Sequence, residues 1–145
     1  MNTRRLTAAA VAGLAVLLTS CTTPPAQDPA AQAAIAYYTS IDTGTPENCD
    51  LTWSYRAQPA KLADCKANPV GGRRSITSAE VTRTVPFPGP TGGPGKALTV
   101  TMTLKDGSAV YAVAMAEADG KWFWVKEESL SKPPATDDEL TAALA

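Results

Sequence analysis

Cysteine is the reactive side chain with the most informative pattern in this sequence. The chain has three, Cys21, Cys49 and Cys65, and it has no histidine. Without histidine it lacks the commonest general base and the commonest metal ligand of proteins. Cys49 and Cys65 are too far apart for a Cys-x-x-Cys motif, so a redox or metal role for two free thiols is the less favoured alternative. We predict a disulfide between them, and we expect no metal or cofactor.

Few other side chains are placed for acid–base chemistry. Asp42 and Asp50 lie on or beside predicted helices and are better explained as helix-end or exposed residues. Arg83 shares the parity of Val81 and Val85 on a predicted strand, so its side chain starts on the apolar face. It either extends along that face to water or clamps an anionic ligand, which makes it a candidate ligand residue.

A glycine-rich stretch from Gly92 to Lys96 superficially matches a phosphate-binding loop. Pro90 stands where the first glycine of that motif belongs, and Ala97 replaces the hydroxyl residue that would hold Mg²⁺. A strand is predicted to follow, whereas a phosphate cradle requires a helix N-terminus. The stretch is therefore predicted to be a loop between two strands.

The N-terminus has the layout of an export signal. Arg4 and Arg5 precede an uncharged, largely apolar stretch of 13 residues, 6–18. This is too short to span a bilayer, which takes about 20 residues, but it suits a signal peptide. The stretch ends in a sequence that resembles the bacterial lipobox, Leu18-Thr19-Ser20-Cys21. An ordinary signal peptide with a chance cysteine is the alternative.

The lipobox resemblance implies that residues 1–20 are removed and that Cys21 becomes a lipidated N-terminus. The protein would then be anchored to the outer face of the bacterial cell membrane, outside the cytoplasm, since two or more acyl chains bind a bilayer stably. Residues 21–29 contain three prolines and are predicted to be an extended tether. The mature chain would carry 11 basic against 14 acidic residues, a net charge of −3, which argues against nucleic-acid binding.

Helix-forming patterns open the predicted domain, residues 30–130. Asp28-Pro29 predicts a helix start and Gly44 predicts its end. Cys49 and Cys65 are predicted to lie on two further short helices. The first helix has one apolar stripe, formed by Ala31, Ala34, Ile35, Tyr38 and Ile41.

The periodicity then changes from helical to alternating. Four strands are predicted in residues 79–87, 97–104, 110–116 and 122–126, with tight turns at Asp106-Gly107 and Asp119-Gly120. The 110–116 segment is apolar on both parities, as a strand covered on both faces would be. Helices followed by strands predict an α+β domain in which the helices pack on one face of a four-stranded antiparallel meander.

The last strand presents aromatic or apolar residues on both faces, with Trp122 and Trp124 on one and Phe123 and Val125 on the other. One face must be core, and we expect a helix or the tail to cover the second; otherwise it is an exposed partner site. The C-terminal tail, residues 131–145, contains a capping-box pattern, Thr136-x-x-Glu139, which predicts a short helix or a frayed end. We expect its attachment to be loose.

The Tyr37-Tyr38 pair on an alanine-rich helix, the Gly44 break and Asp119-Gly120-Lys121-Trp122 together resemble small exported lipoproteins of the nuclear-transport-factor-like (cystatin-like) superfamily. The resemblance spans most of residues 30–128 and implies a curved sheet wrapped around a helix into a cone. The superfamily includes isomerases, dehydratases and plain binding modules, so the resemblance implies a cavity and not a particular reaction.

Two functional hypotheses follow. The first is a non-catalytic envelope lipoprotein that binds a protein partner or a small apolar ligand. The second is a cone-pocket isomerase or hydratase that uses Asp42, Tyr38 or Arg83, and a structural homodimer is a weaker third idea. An enzyme requires ionisable groups that converge on a cavity, whereas a cone filled by its own side chains favours binding. The candidate pocket residues are Arg83, Tyr38, Tyr111 and Trp124.

Overall fold

In the part of the chain that the structure describes, the fold consists of four α-helices and a four-stranded sheet. The computed structural model describes residues 27–69, 71 and 75–145; the predicted signal peptide, Cys21 and most of the tether lie outside these residues. The elements are α1 (Pro29–Thr43), α2 (Glu47–Asp50), a 3₁₀ turn (Trp53–Tyr55), α3 (Pro59–Ala67), β1 (Ile76–Pro86), β2 (Gly95–Leu104), β3 (Gly107–Ala118), β4 (Lys121–Leu130) and α4 (Asp137–Ala143).

Helix α1 begins and ends where its sequence predicts. The Asp28 carboxylate accepts a hydrogen bond from the backbone N–H of Ala30 at 2.9 Å, and Pro29 occupies the first turn, where its missing N–H costs nothing. Gly44 ends the helix with φ at 69°, a left-handed conformation that glycine adopts without strain.

The sheet is an antiparallel meander in the order β1-β2-β3-β4. Adjacent strands β3 and β4 are joined by Asp119 and Gly120, whose φ angles of 54° and 71° match the twist of a hairpin. The predicted α+β class and the four-stranded antiparallel arrangement are therefore confirmed.

The main core lies between α1 and the sheet. Its β2 members, Leu98, Val100 and Met102, alternate with threonines as predicted and are fully buried. The other buried members come from the helix and the remaining strands, and they are Ala30, Ala31, Ala34, Tyr37, Tyr38, Val81, Val113 and Met115.

A second core lies on the opposite face of the sheet, under α4. Leu140 and Leu144 are buried there against Ala112 and Ala114 of β3, so β3 is covered on both faces as predicted. The Thr136 hydroxyl accepts from the N–H of Glu139 at 3.1 Å, which confirms half of the predicted capping box. The expectation of a loosely attached tail was wrong, because two leucines at helical spacing anchor it.

The predicted parity of β1 was also wrong beyond Val81. The pairing of β1 with β2 shifts register between Val81 and Arg83, which inserts an extra residue into β1. A β-bulge of this kind reverses which face the following residues occupy. Val81 consequently belongs to the main core, whereas Val85 belongs to the second core under α4.

Helix α1, at 15 residues, is the longest in the described part of the chain. No helix there combines the length and the apolar character needed to cross a bilayer.

Candidate functional site

Tyr38 is the centre of the predicted pocket, and its hydroxyl is buried. It donates a hydrogen bond to a Glu127 carboxylate oxygen at 2.5 Å, from α1 across to β4. The Tyr111 ring centroid lies 6.5 Å from that of Tyr38. Burial raises the pKa of Tyr38, and the adjacent Glu127 carboxylate raises it further, since both oppose a phenolate. Tyr38 therefore keeps its proton at neutral pH and acts as a donor to Glu127.

Side chains fill the space between α1 and the sheet. Trp124 stacks on Tyr37 with ring centroids 4.9 Å apart and an interplanar angle of 7°. Leu98 and Met102 are fully buried beside them. The predicted pocket residues Tyr38, Tyr111 and Trp124 are thus brought together, but they pack as core around α1.

Arg83 lies on the opposite face of the sheet from these three residues, because of the bulge in β1. Its guanidinium forms an ion pair with Asp137 at 2.5 Å and donates to the carbonyl of Ala135 at 3.1 Å. Arg83 is held in this position by α4 and its preceding linker.

The two candidate carboxylates also have structural partners. Asp42 accepts a hydrogen bond from the backbone N–H of Ile76 at 2.7 Å, which ties the end of α1 to the start of β1. Asp50 forms an ion pair with Lys66 at 2.7 Å between α2 and α3. The residues proposed for an enzyme, Asp42, Tyr38 and Arg83, are therefore engaged with three different partners and do not converge on one cavity.

The predicted disulfide is confirmed. Cys49 of α2 and Cys65 of α3 are bonded, with their Cα atoms 5.9 Å apart. The segment between them follows the outer edge of β4, where the backbone N–H of Trp124 donates to the Leu51 carbonyl at 2.7 Å. Thr52 forms a parallel bridge to Trp124 at the same point. The disulfide therefore closes a loop that covers a sheet edge.

A cleft of about 530 Å³ opens between this loop and β4. We call it the disulfide cleft. It combines apolar and cationic walls. Its lining residues are Cys49, Asp50, Thr52, Tyr55, Arg56, Leu62, Lys121 and Phe123.

Arg56 is the most constrained charged residue of the disulfide cleft. Its guanidinium carbon lies 4.7 Å from the ring centroid of Trp53 and 4.9 Å from that of Phe123, so both aromatic rings contact it. It also forms an ion pair with Asp119 at 2.9 Å. These contacts fix the guanidinium before any ligand arrives, which lowers the entropic cost of binding.

The sequence patterns did not predict this cleft. The signal available was the Trp53-x-x-Arg56 spacing, which places an aromatic ring and a guanidinium one helical turn apart. The pairing of both residues with Phe123 depends on the path of the disulfide loop along β4, which sequence alone does not give. The contact does account for Phe123, whose face of β4 was expected to be covered.

Among the described residues, no group of three or more His, Cys, Asp or Glu side chains could hold a metal ion. No protein-family model matches the chain, and comparisons with curated proteins and with solved structures find no match either. The candidate site is therefore defined by its geometry, as a cleft at the β4 edge beside a filled helix–sheet core.

Proposed function

We propose that this protein is a lipid-anchored lipoprotein on the outer face of a bacterial cell membrane, and that its domain is a non-catalytic binding or accessory module. The observation that carries the binding role is the packing of Tyr38, Tyr111 and Trp124 around α1, which occupies the space where a cone-pocket enzyme would need a cavity. The lipobox-like sequence ending at Cys21 supports the anchor.

The helix–sheet arrangement and the strand bulges support the likeness that we propose to the nuclear-transport-factor-like (cystatin-like) superfamily. A long first helix packs across one face of an antiparallel meander, and bulges interrupt β1 and β4. Bulges increase local twist and bend strands, as a sheet that wraps a helix requires. A cone-shaped, cystatin-like fold is the interpretation that we propose.

The disulfide cleft is the proposed binding surface. Leu62, Phe123 and Tyr55 give it apolar walls, and Arg56 and Lys121 lie at its cationic side. Lys121 is exposed and has no ion pair among the described residues, so its charge is open to a ligand. We propose an occupant with an apolar group next to a carboxylate, such as the side chain of an envelope protein or a small amphipathic acid.

The anchor is tested by Cys21→Ala. We expect the variant to lose membrane retention and processing at this site, because lipid attachment requires the thiol and a plain tether has no stable affinity for a bilayer. Fractionation and intact mass of the wild-type chain and the variant measure this. A variant that fractionates like the wild type would contradict the proposed anchor.

The binding surface is tested by a photo-crosslinking amino acid at Leu62, in the disulfide cleft, in cells that carry the otherwise native chain. The matched control is the same amino acid at the exposed residue Glu80 of β1. We expect a discrete crosslinked species from position 62 that is weakened by Lys121→Glu, and none from position 80. Equal crosslinking at both positions, or none at 62, would contradict the cleft as the binding surface.

A further inference from the structure

The connection between β1 and β2, Phe87–Pro94, is eight residues long and contains no charged side chain. It lies at the end of the sheet where α1 begins. The exposed residues of this loop are Pro88, Pro90, Thr91, Gly92 and Pro94, and Phe87 is half-buried. The loop therefore presents an uncharged, proline-rich tip to the surroundings of the domain.

Backbone hydrogen bonds give the loop a fixed shape. Phe87 N donates to the Gly95 carbonyl and Gly89 N to the Gly93 carbonyl, both at 2.9 Å. The backbones approach so closely at Gly95 that a Cβ there would lie 2.6 Å from the Phe87 carbonyl oxygen. Since prolines restrict the chain further, contact with another surface would cost the loop little conformational entropy.

Two crevices flank the loop. One, of about 620 Å³, lies between the loop and Trp122, and the other, of about 390 Å³, lies between the loop and the end of α4 at Leu144. Phe87 lines both crevices. The apolar character of this end of the domain therefore extends beyond the loop itself.

The start of the domain is fixed to the same end. The Asp28 carboxylate forms an ion pair with the Lys96 ammonium at 2.6 Å, and that ammonium lies 5.0 Å from the ring centroid of Trp122, in the first crevice. Cys21 precedes Asp28 by seven residues, which span at most about 25 Å when fully extended. A lipid on Cys21 would hold this end within that distance of the bilayer.

We propose that the Phe87–Pro94 loop rests in the interfacial region of the membrane that carries the anchor, and so orients the domain with its β1–β2 loop end toward the lipid. The proposal rests on the proposed anchoring at Cys21. The charged groups near this end include the ion pairs of Asp28 with Lys96 and of Arg56 with Asp119, together with Glu117 and Lys121, and these groups carry no net charge. Apolar contact therefore drives the interaction, and salt has little effect on it.

Site-specific depth measurements test the orientation. A fluorophore is attached to Thr91→Cys at the loop tip, or to Asp106→Cys in the β2–β3 turn at the opposite end of the sheet. The lipidated chain is placed in phosphatidylcholine–phosphatidylglycerol nanodiscs that contain nitroxide-labelled lipid. We expect several-fold stronger quenching at position 91 than at 106, at both low and high salt. Equal quenching, stronger quenching at 106, or loss of the difference in high salt would overturn the proposal.

A second variant separates membrane contact from folding. Pro90→Asp adds a charge at an exposed position whose backbone makes no N–H hydrogen bond, so the circular dichroism spectrum and melting temperature should not change. We expect it to reduce quenching at position 91 to the level at 106, and unchanged quenching would contradict loop contact. Intact mass is measured first: an unlipidated Cys21 overturns the anchor and the loop proposal together, whereas failure on a verified lipidated chain overturns the loop proposal alone.

Discussion

A buried tyrosine hydroxyl next to a carboxylate has two common explanations, acid–base catalysis and structural support. For Tyr38 the contacts favour support. Its ring packs among the residues of the main core, and its hydroxyl is directed to Glu127, which lies on β4 and not in an open cavity. The hydrogen bond therefore ties α1 to the strand farthest along the sheet, and its contribution belongs to stability.

Tyr38→Phe removes this hydrogen bond while it keeps the ring. We expect the free energy of unfolding to fall by about 1.5–3 kcal/mol, the range for hydrogen bonds to charged groups, because the Glu127 carboxylate loses the Tyr38 hydroxyl as a donor. Urea denaturation of the wild-type and variant proteins near neutral pH measures the change. Tyr55→Phe, at a half-buried tyrosine outside the main core, is the control and should change stability much less. A variant as stable as the wild type would show that the bond contributes nothing.

The same contact predicts a pH dependence. The pKa of Tyr38 is raised in the folded protein, whereas a tyrosine in the unfolded chain titrates near about 10. The unfolded chain thus loses this proton first as the pH rises, so the stabilisation is complete below about pH 10 and is lost progressively above it. Stability of the wild-type protein should therefore fall more steeply above pH 10 than that of Tyr38→Phe. Parallel curves would contradict this assignment.

At the scale of elements, α4 is what converts the outer face of the sheet into a second core. The helix is short, and hydrophobic burial of Leu140 and Leu144 outweighs the ion pair that Arg83 forms with Asp137, since both of those charged side chains retain solvent contact. The face beneath consists largely of small alanines, Ala97, Ala112 and Ala114, so the helix can approach the strands closely.

Leu140→Ala tests this ranking of contributions. We expect a loss of about 2–5 kcal/mol in the free energy of unfolding, as for other leucines deleted from cores. Arg83→Met keeps most of the aliphatic stem but loses the ion pair, and it should cost only about 0.2–1 kcal/mol. Thermal or urea denaturation compares the two. A larger loss for Arg83→Met than for Leu140→Ala would reverse the ranking.

Sequence patterns predicted the elements well because most of them depend on local signals. The cap at Asp28, the glycine at position 44 and the Asp119-Gly120 turn act within a few residues, and each lies where it was expected. The prediction that Arg83 lies on the same face of the sheet as Val81 was wrong, because a single extra residue in β1 moves Arg83 to the opposite face. The hydrophobic pattern of one strand does not reveal its register with the next strand.

For the whole molecule, sequence predicted the pairing of Cys49 with Cys65 but not what the disulfide loop contacts. Its path along β4 joins Trp53, Arg56 and Phe123, residues that lie up to 70 positions apart and carry no shared periodicity. Such long-range contacts depend on tertiary packing, so the disulfide cleft could be found only in the folded structure. The attachment of the C-terminal tail was predicted wrongly for the same reason. Its stability comes from the burial of Leu140 and Leu144 against the sheet, which the sequence of the tail alone does not show.

The pairing at the edge of β4 has a further consequence if copies of this chain are anchored to a membrane as we propose. Proteins confined to a surface meet far more often than the same number of molecules in solution, and free strand edges are where sheets join one another. The segment at Leu51 and Thr52 pairs with the edge of β4 at Trp124, and the bond between Cys49 and Cys65 restrains that segment against displacement. With the anchor that we propose, the oxidised loop would thereby oppose edge-to-edge association of neighbouring copies through this part of β4.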